Sequence, residues 1–346
     1  MTDRPKTPPA SRPRSRQASE PAEDLTAILS SKVVGQPNVI NMIVPYIEMF
    51  QAGLAPENRP VGVFLLLGPT GTGKTRTVEA LAEALHGSSK NLLKVDCGEF
   101  QMEHEVAKLI GAPPGYLGHR ETQPMLSQAK VDGVATDDCN ISLVLFDEIE
   151  KAAPSMTRML MGILDKATLR LGDNNTVDFQ NTLIFLTSNL GAKAIQRETR
   201  PDFGFEALMP AAEAADPEKL QKVGMAAVRR RFSPEFVNRI DRVLTFRPLD
   251  RKAYAAILDQ ILAGFSMLLR ERLGMRAFKM LYTPAARNLL LDKGTSLEFG
   301  ARELKRTVQR NVMQPVAQLV AQCRIPPGGA VTLDVRNGEF GLYLRQ

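Results

Sequence analysis

The stretch VGVFLLLGPTGTGKTRTVEALAEALHG (Val61–Gly87) changes character twice. Val61–Leu67 carries no polar side chain, the pattern of a strand buried on both faces. GPTGTGKT (Gly68–Thr75) fits the spacing G-x-x-x-x-G-K-[ST]. Its glycines let backbone N–H groups converge on phosphate oxygens, and a helix N-terminus behind them favours the negative charge. In TRTVEALAEALHG, Val78, Leu81, Ala82 and Leu85 fall on one helical face, and Gly87 marks the stop. Strand, phosphate loop and helix in this order predict a nucleotide site. Gly68, Pro69, Thr70, Gly71, Thr72 and Gly73 would form the cradle. Lys74 would reach the β- and γ-phosphates, and the Thr75 hydroxyl would bind Mg²⁺.

Working outward, LLKVD (92–96), ISLVLF (141–146), TLIFLT (182–187) and RVLTF (242–246) repeat the buried-strand pattern, with amphipathic segments between them. Alternating strands and helices predict an α/β layer fold with a central parallel sheet between helices. After FRPLD (246–250) the pattern becomes helical, in AYAAILDQILAGFSMLLRERL and ARELKRTVQRNVMQPVAQLVAQ. VTLDV (331–335) and FGLYL (340–344) could pair as a hairpin across Arg336-Asn337-Gly338. The expected organisation is a basic, Pro- and Ser-rich disordered tail over 1–24, a large unit over 25–247 and a small, mainly helical unit over 248–346.

LVLFDEIE (143–150) is a buried strand that ends in acids. Asp147 suits a direct or outer-sphere Mg²⁺ ligand, and Glu148 a base that polarises attacking water. A strand-end acid pair alone could be a helix cap; behind a phosphate loop it reads as catalytic. TLIFLTSNLG (182–191) also ends in polar residues, and Asn189 could orient water or touch the γ-phosphate.

Bulk composition narrows the classes further. The chain has 346 residues, a net charge of +6, and 44% hydrophobic and 24% charged residues, which suits about two globular units. No apolar run approaches the ~20 residues of a membrane span. The three cysteines (Cys97, Cys139, Cys323) show no CxxC spacing, so neither a disulfide framework nor a zinc site is expected. No nucleic-acid module signature accompanies the basic charge. The expectation is a cytoplasmic protein without nucleic-acid or membrane partners.

VVGQ (33–36), AGLAPENRPVGVFLLLGPTGTGKT (52–75), VDCGEF (95–100), LIGAPPGYLG (109–118), LFDEIEKA (145–152), LTSNLG (186–191), RFSPEFVNRID (231–241) and FGARELKR (299–306) together resemble the second ATPase module of the Clp-type AAA+ unfoldases and disaggregases, ClpA, ClpB and ClpC. The resemblance implies the AAA+ P-loop NTPase fold with ATP and Mg²⁺ as cofactors. Val33, Val34 and Gly35 would line the adenine pocket, Asn189 would be the first sensor and Arg302 the second. Arg239 would be an arginine finger for a neighbouring subunit, which implies a ring, in this family a homohexamer. Tyr116 and Leu117 in GAPPGYLG would form the channel loop that grips unfolded or aggregated protein substrates. Without that context Tyr116 reads as an aromatic buried under a turn. Phe203-Gly204-Phe205 resembles the tripeptide that docks a ClpP-type protease, with local packing of both phenylalanines as the alternative. A nucleotide-switched adaptor that threads nothing is a further alternative. Full-length relatives carry an N-terminal substrate domain and a first ATPase module, so a single-module protein is expected. Where the family usually has Gly-Arg, this chain has Asn174-Asn175.

Overall fold

The structure is a computed structural model that describes residues 25–111, 124–198, 217–296 and 299–345. The expected tail 1–24, Tyr116 and Leu117, and Phe203-Gly204-Phe205 lie outside the described residues. Ten strands are found among those described: β1 Gly62–Leu67, β2 Leu93–Asp96, β3 Ser142–Asp147, β4 Thr168–Arg170, β5 Thr176–Asp178, β6 Thr182–Ser188, β7 Arg242–Thr245, β8 Lys279–Tyr282, β9 Ala330–Arg336 and β10 Glu339–Arg345. Five of them form one sheet in the order β2-β3-β6-β1-β7, and every pairing in it is parallel.

Period-two alternation explains why the three central strands, β1, β3 and β6, are apolar along most of their length, while the flanking β2 and β7 are not. Val63, Leu65 and Leu67 of β1 face one core with Val144 and Phe146 of β3 and Ile184 and Leu186 of β6. Met156, Leu160 and Ile163 of helix Pro154–Lys166 cover that face. Phe64 and Leu66 point the other way with Leu143, Leu145, Leu183 and Phe185. There the cover is Ile40, Ile43 and Ile47 of helix Pro37–Gln51, with Val78 and Leu81 of helix Lys74–His86. A sheet covered on both faces needs apolar residues on both sides of its central strands, and the crossover helices supply the cover. Helix Lys74–His86 ends at Gly87, whose φ of 72° is the left-handed stop.

Beyond β7 a third core gathers Tyr254, Leu258, Leu262, Phe265 and Leu269 of helix Arg251–Leu273, Leu290 and Leu291 of helix Pro284–Gly294, and Leu304, Val308, Val312 and Val316. By length and composition alone Arg251–Arg276 is apolar enough to cross a membrane, with a mean hydropathy of 1.3; its apolar side is built into this core. The hairpin β9–β10 turns at Asn337-Gly338, both at positive φ, and β8 adds a parallel strand to β9 that the sequence reading did not anticipate. The second C-terminal helical stretch is interrupted. Ala301–Val308 passes through a π turn, Gln309–Met313, into Gln314–Ala321. Pro315 removes one backbone donor, and a wider turn ahead of it lets the helix continue.

Candidate active site

The phosphate loop leaves the carboxyl end of β1, where neighbours β6 and β7 lie on either side. Carboxyl ends of parallel strands collect the polar residues here, as expected for an open α/β sheet. A cavity of about 480 Å³ opens over the loop. One wall is Lys32, Val33 and Val34, another is Leu249, Ile257 and Ile261, and the floor is Thr70–Thr75 with Asp147, Glu148, Thr187 and Asn189. Arg302 and Lys305 reach in from the small unit.

Lys74 is almost fully buried and bonds the Gly68 carbonyl at 2.7 Å, the Pro69 carbonyl at 2.9 Å and Asn189 Oδ1 at 2.9 Å. Burial brings its ammonium down to about 8; Glu150 and Asp147 work against that shift, and Arg302 adds to it. The Thr75 hydroxyl lies 3.4 Å and 3.5 Å from the two Asp147 oxygens. Lys94 of β2 pairs with Asp147 Oδ2 at 3.0 Å, and the Thr187 hydroxyl donates to Oδ1. Burial tends to raise the Asp147 carboxyl, but Thr187, Lys94 and Arg302 hold it below the usual carboxylate range.

Glu148 sits at φ 58°, a left-handed conformation uncommon for a non-glycine residue. Its Oε1 accepts from Asn189 Nδ2 at 3.3 Å, and Oε2 is ion-paired with Lys151. The Asn189 N–H donates to Glu150 Oε1 at 3.0 Å. Asn189 therefore touches Lys74 on one side and Glu148 on the other.

The small unit meets the phosphate loop backbone to backbone. The Ala301 N–H donates to the Gly71 carbonyl at 3.0 Å. A Cβ on Gly300 would lie 2.6 Å from the Thr70 carbonyl and 2.7 Å from that of Gly71, so only glycine fits.

Not every expected residue lies on the cleft surface. Gly68 and Pro69 sit beneath it, holding Lys74 through their carbonyls. Gly35 is not among the residues lining the cleft; a Cβ there would pack against Ala253 and the cleft-wall residue Leu249. Arg239 is remote from its own chain's cleft. It bonds the Glu235 carbonyl at 2.8 Å and pairs with Asp165 at 3.6 Å.

Several contributors receive no role from the sequence, although Gln36 and Thr187 stand in the quoted VVGQ and LTSNLG. Gln36 is buried, donates to the carbonyls of Arg247 at 2.9 Å and Thr72 at 3.4 Å, and accepts from the Arg247 N–H at 3.2 Å. It thereby ties the VVGQ loop, the phosphate loop and the connection to the small unit. Lys94, Thr187 and Glu150 act on the acids or on Asn189 from separate strands and turns. Glu150 stands in the quoted LFDEIEKA, but only the fold shows that it holds Asn189.

The donor set fits a nucleotide-bound Mg²⁺. That ion takes one or two protein oxygens and completes its shell with phosphates and water. Thr75 and Asp147 supply such a pair, and among the described residues no His/Cys/Asp/Glu cluster suggests a dedicated metal cage.

A family model described as "AAA domain (Cdc48 subfamily)" matches residues 59–243, and one described as "C-terminal, D2-small domain, of ClpB protein" matches 249–333. The chain is 38% identical over 316 residues to a "Chaperone protein ClpB" of Pseudomonas putida, covering 90% of this chain and 34% of that protein. It is 34% identical over 317 residues to an "ATP-dependent Clp protease ATP-binding subunit ClpC" of Staphylococcus epidermidis, covering 92% and 37%. It thus spans about a third of the length of these relatives. A solved structure described as "Closed State CryoEM Reconstruction of Hsp104:ATPyS and FITC casein" superposes with a TM-score of 0.76 at 29% identity, covering 92% of this chain and 51% of that one. With the phosphate loop, strand-end acids and FGAR contact joined in one cleft, the chain belongs to the Clp-type AAA+ family, in the region of its second ATPase module.

Proposed function

We propose that this chain is the ATP-hydrolysing module of a ring that unfolds or remodels proteins. The observation that carries this reading is the meeting of Lys74, Thr75, Asp147, Glu148, Asn189 and Arg302 in one cleft. Lys74 and the loop N–H groups bind the phosphates, Thr75 and Asp147 hold Mg²⁺, and Val33 and Val34 flank the adenine, with Gly35 shaping their turn. When held there, Mg²⁺ would supply charge neutralisation to the transferring phosphoryl group. Glu148 takes the proton of the attacking water while Asn189 orients it. Arg302 couples the small unit's position to the γ-phosphate. Arg239, directed away from its own cleft, would be supplied to the next subunit in a homohexamer, a closed head-to-tail assembly. Unfolded or aggregated protein would pass Tyr116 and Leu117, and the cytoplasm is the proposed setting. Because one relative is named as the ATP-binding subunit of a Clp protease, feeding a ClpP-type protease through Phe203-Gly204-Phe205 is the second reading.

The test is ATP-dependent unfolding of a tagged fluorescent substrate by wild type and Tyr116→Ala. The variant is expected to hydrolyse ATP and lose unfolding. If both proteins hydrolyse and neither unfolds, a nucleotide-switched assembly replaces the motor. Adding a ClpP-type protease, with and without Phe205→Ala, separates the second reading.

Nucleotide affinity should also respond to pH through Lys74. Phosphates stabilise its charged form, so the complex holds the proton more tightly than the free site, where it is lost near pH 8. ADP affinity is expected to be constant below that value and to fall as pH rises through it, with proton uptake on binding. Calorimetry in buffers of different ionisation enthalpy would register that uptake; none above pH 8 would remove Lys74 from phosphate contact.

A further inference from the structure

The backbone ladder between β3 and β6 runs from Ser142↔Thr182 to Phe146↔Leu186 and then stops. Both strand-end acids lie beyond the last paired register. There a side chain takes over from the ladder. The Thr187 hydroxyl donates its proton to Asp147 Oδ1 and accepts the backbone N–H of Glu148 at 3.0 Å. Thr187 is 1% exposed, and its own backbone is fixed on the far side by pairing of β6 with β1 at Leu66. One hydroxyl, anchored in the middle of the sheet, therefore orients the carboxylate of one acid and the peptide of the other.

Glu148 needs such a tether because its φ of 58° and ψ of 49° are unfavourable for a residue with a Cβ. Strained backbone of this kind persists only where the surroundings over-determine it. Of the other ties to Glu148, the Lys151 N–H donates to its carbonyl at 2.9 Å, and Asn189 and the half-exposed Lys151 side chain hold its carboxylate; none of them holds its N–H, on the peptide it shares with Asp147. For Asp147, the other hydroxyl nearby is that of Thr75, at 3.4 Å or more.

We propose that Thr187 is a positioning residue for hydrolysis, setting the rotamer of Asp147 and the backbone of Glu148 through a single hydroxyl. It does not touch the reacting atoms. The role rests on the proposed ATPase reading, which assigns metal binding to Asp147 and base chemistry to Glu148.

The test compares wild type, Thr187→Val and Thr187→Ser. Valine keeps the shape and removes the hydroxyl, whereas serine keeps the hydroxyl. One arm measures kcat and KM for ATP. The other measures Mn²⁺ affinity of the ADP complex by electron paramagnetic resonance. Removing an outer-sphere partner of a metal ligand typically costs 10–100-fold, so Thr187→Val is expected to lose about that factor in kcat and about tenfold in Mn²⁺ affinity. ADP binding without metal should not change, and Thr187→Ser should restore both losses. Wild-type kcat and Mn²⁺ affinity in folded Thr187→Val would overturn the proposal, as would a serine variant as impaired as valine. If wild type hydrolyses nothing, the ATPase reading fails, and the Mn²⁺ arm still decides whether Thr187 orients Asp147. Should the valine variant not fold, Thr187→Cys, of similar size with only a weak S–H donor, replaces it.

Discussion

Replacing Glu148 by glutamine is expected to lower ATP turnover by about 10²–10⁴-fold while leaving nucleotide affinity near that of the wild type. The separation follows from where the side chain sits. The groups proposed to bind phosphate, Lys74 foremost, hang from the loop after β1, whereas Glu148 projects from the turn after β3. Glutamine keeps the size of the side chain and an oxygen that can accept from Asn189 Nδ2. What it cannot do is take a proton. The lost ion pair with Lys151 matters little for stability, because that lysine is 50% exposed and exposed pairs are screened by water. A melting temperature close to wild type is therefore expected beside the kinetic loss. Phosphate-release kinetics and binding of a fluorescent ATP analogue measure the two quantities. Turnover at the wild-type rate would show that another group polarises the water.

The contrast between legible and hidden parts of this site has a physical origin. β1, β3 and β6 could be read because burial on both faces imposes short runs of consecutive apolar residues, Leu143–Phe146 and Leu183–Leu186 among them. The phosphate loop could be read because its function lies in local backbone geometry. Lys94, Thr187 and Gln36 act only through partners far away in the chain: Lys94 and Thr187 meet at Asp147, and Gln36 meets Arg247. No window of sequence contains both halves of such a contact. β8 escaped for a different reason, since KMLY alternates between exposed and half-buried positions over four residues, too short a run for periodicity. The β4–β5 hairpin is shorter still, three residues a strand. Its departure from the family pattern at Asn174-Asn175 is intelligible in the structure. Asn174 has a φ of 71°, and asparagine is the residue after glycine that best tolerates it.

The second large effect is expected at a residue with no side chain at all. Gly300 precedes helix Ala301–Val308 with φ 56° and ψ −144°, a region that only glycine enters readily. Its backbone lies directly on the phosphate loop, with no room for a Cβ against the carbonyls of Thr70 and Gly71. Gly300→Val must therefore both strain its own backbone and push the two units apart. The Ala301 N–H would leave the Gly71 carbonyl, and Arg302, one residue further on, would withdraw from the cleft. Backbone strain of this type costs roughly 1–3 kcal/mol and overpacking a similar amount. If even about 1.4 kcal/mol of that falls on the nucleotide-bound state, affinity drops about tenfold. Gly264→Ala is the matched control. That glycine lies inside helix Arg251–Leu273 with open space around its Cβ position, so alanine is expected to stabilise the protein by roughly 0.5–1 kcal/mol. Arg302→Ala separates charge from contact, because it deletes the guanidinium and keeps the Ala301–Gly71 bond. If nucleotide affinity and melting temperature are unchanged in Gly300→Val, the backbone contact transmits nothing. If Gly300→Val weakens binding well beyond Arg302→Ala, the small unit acts on the phosphate loop through the backbone seam rather than through the arginine's charge.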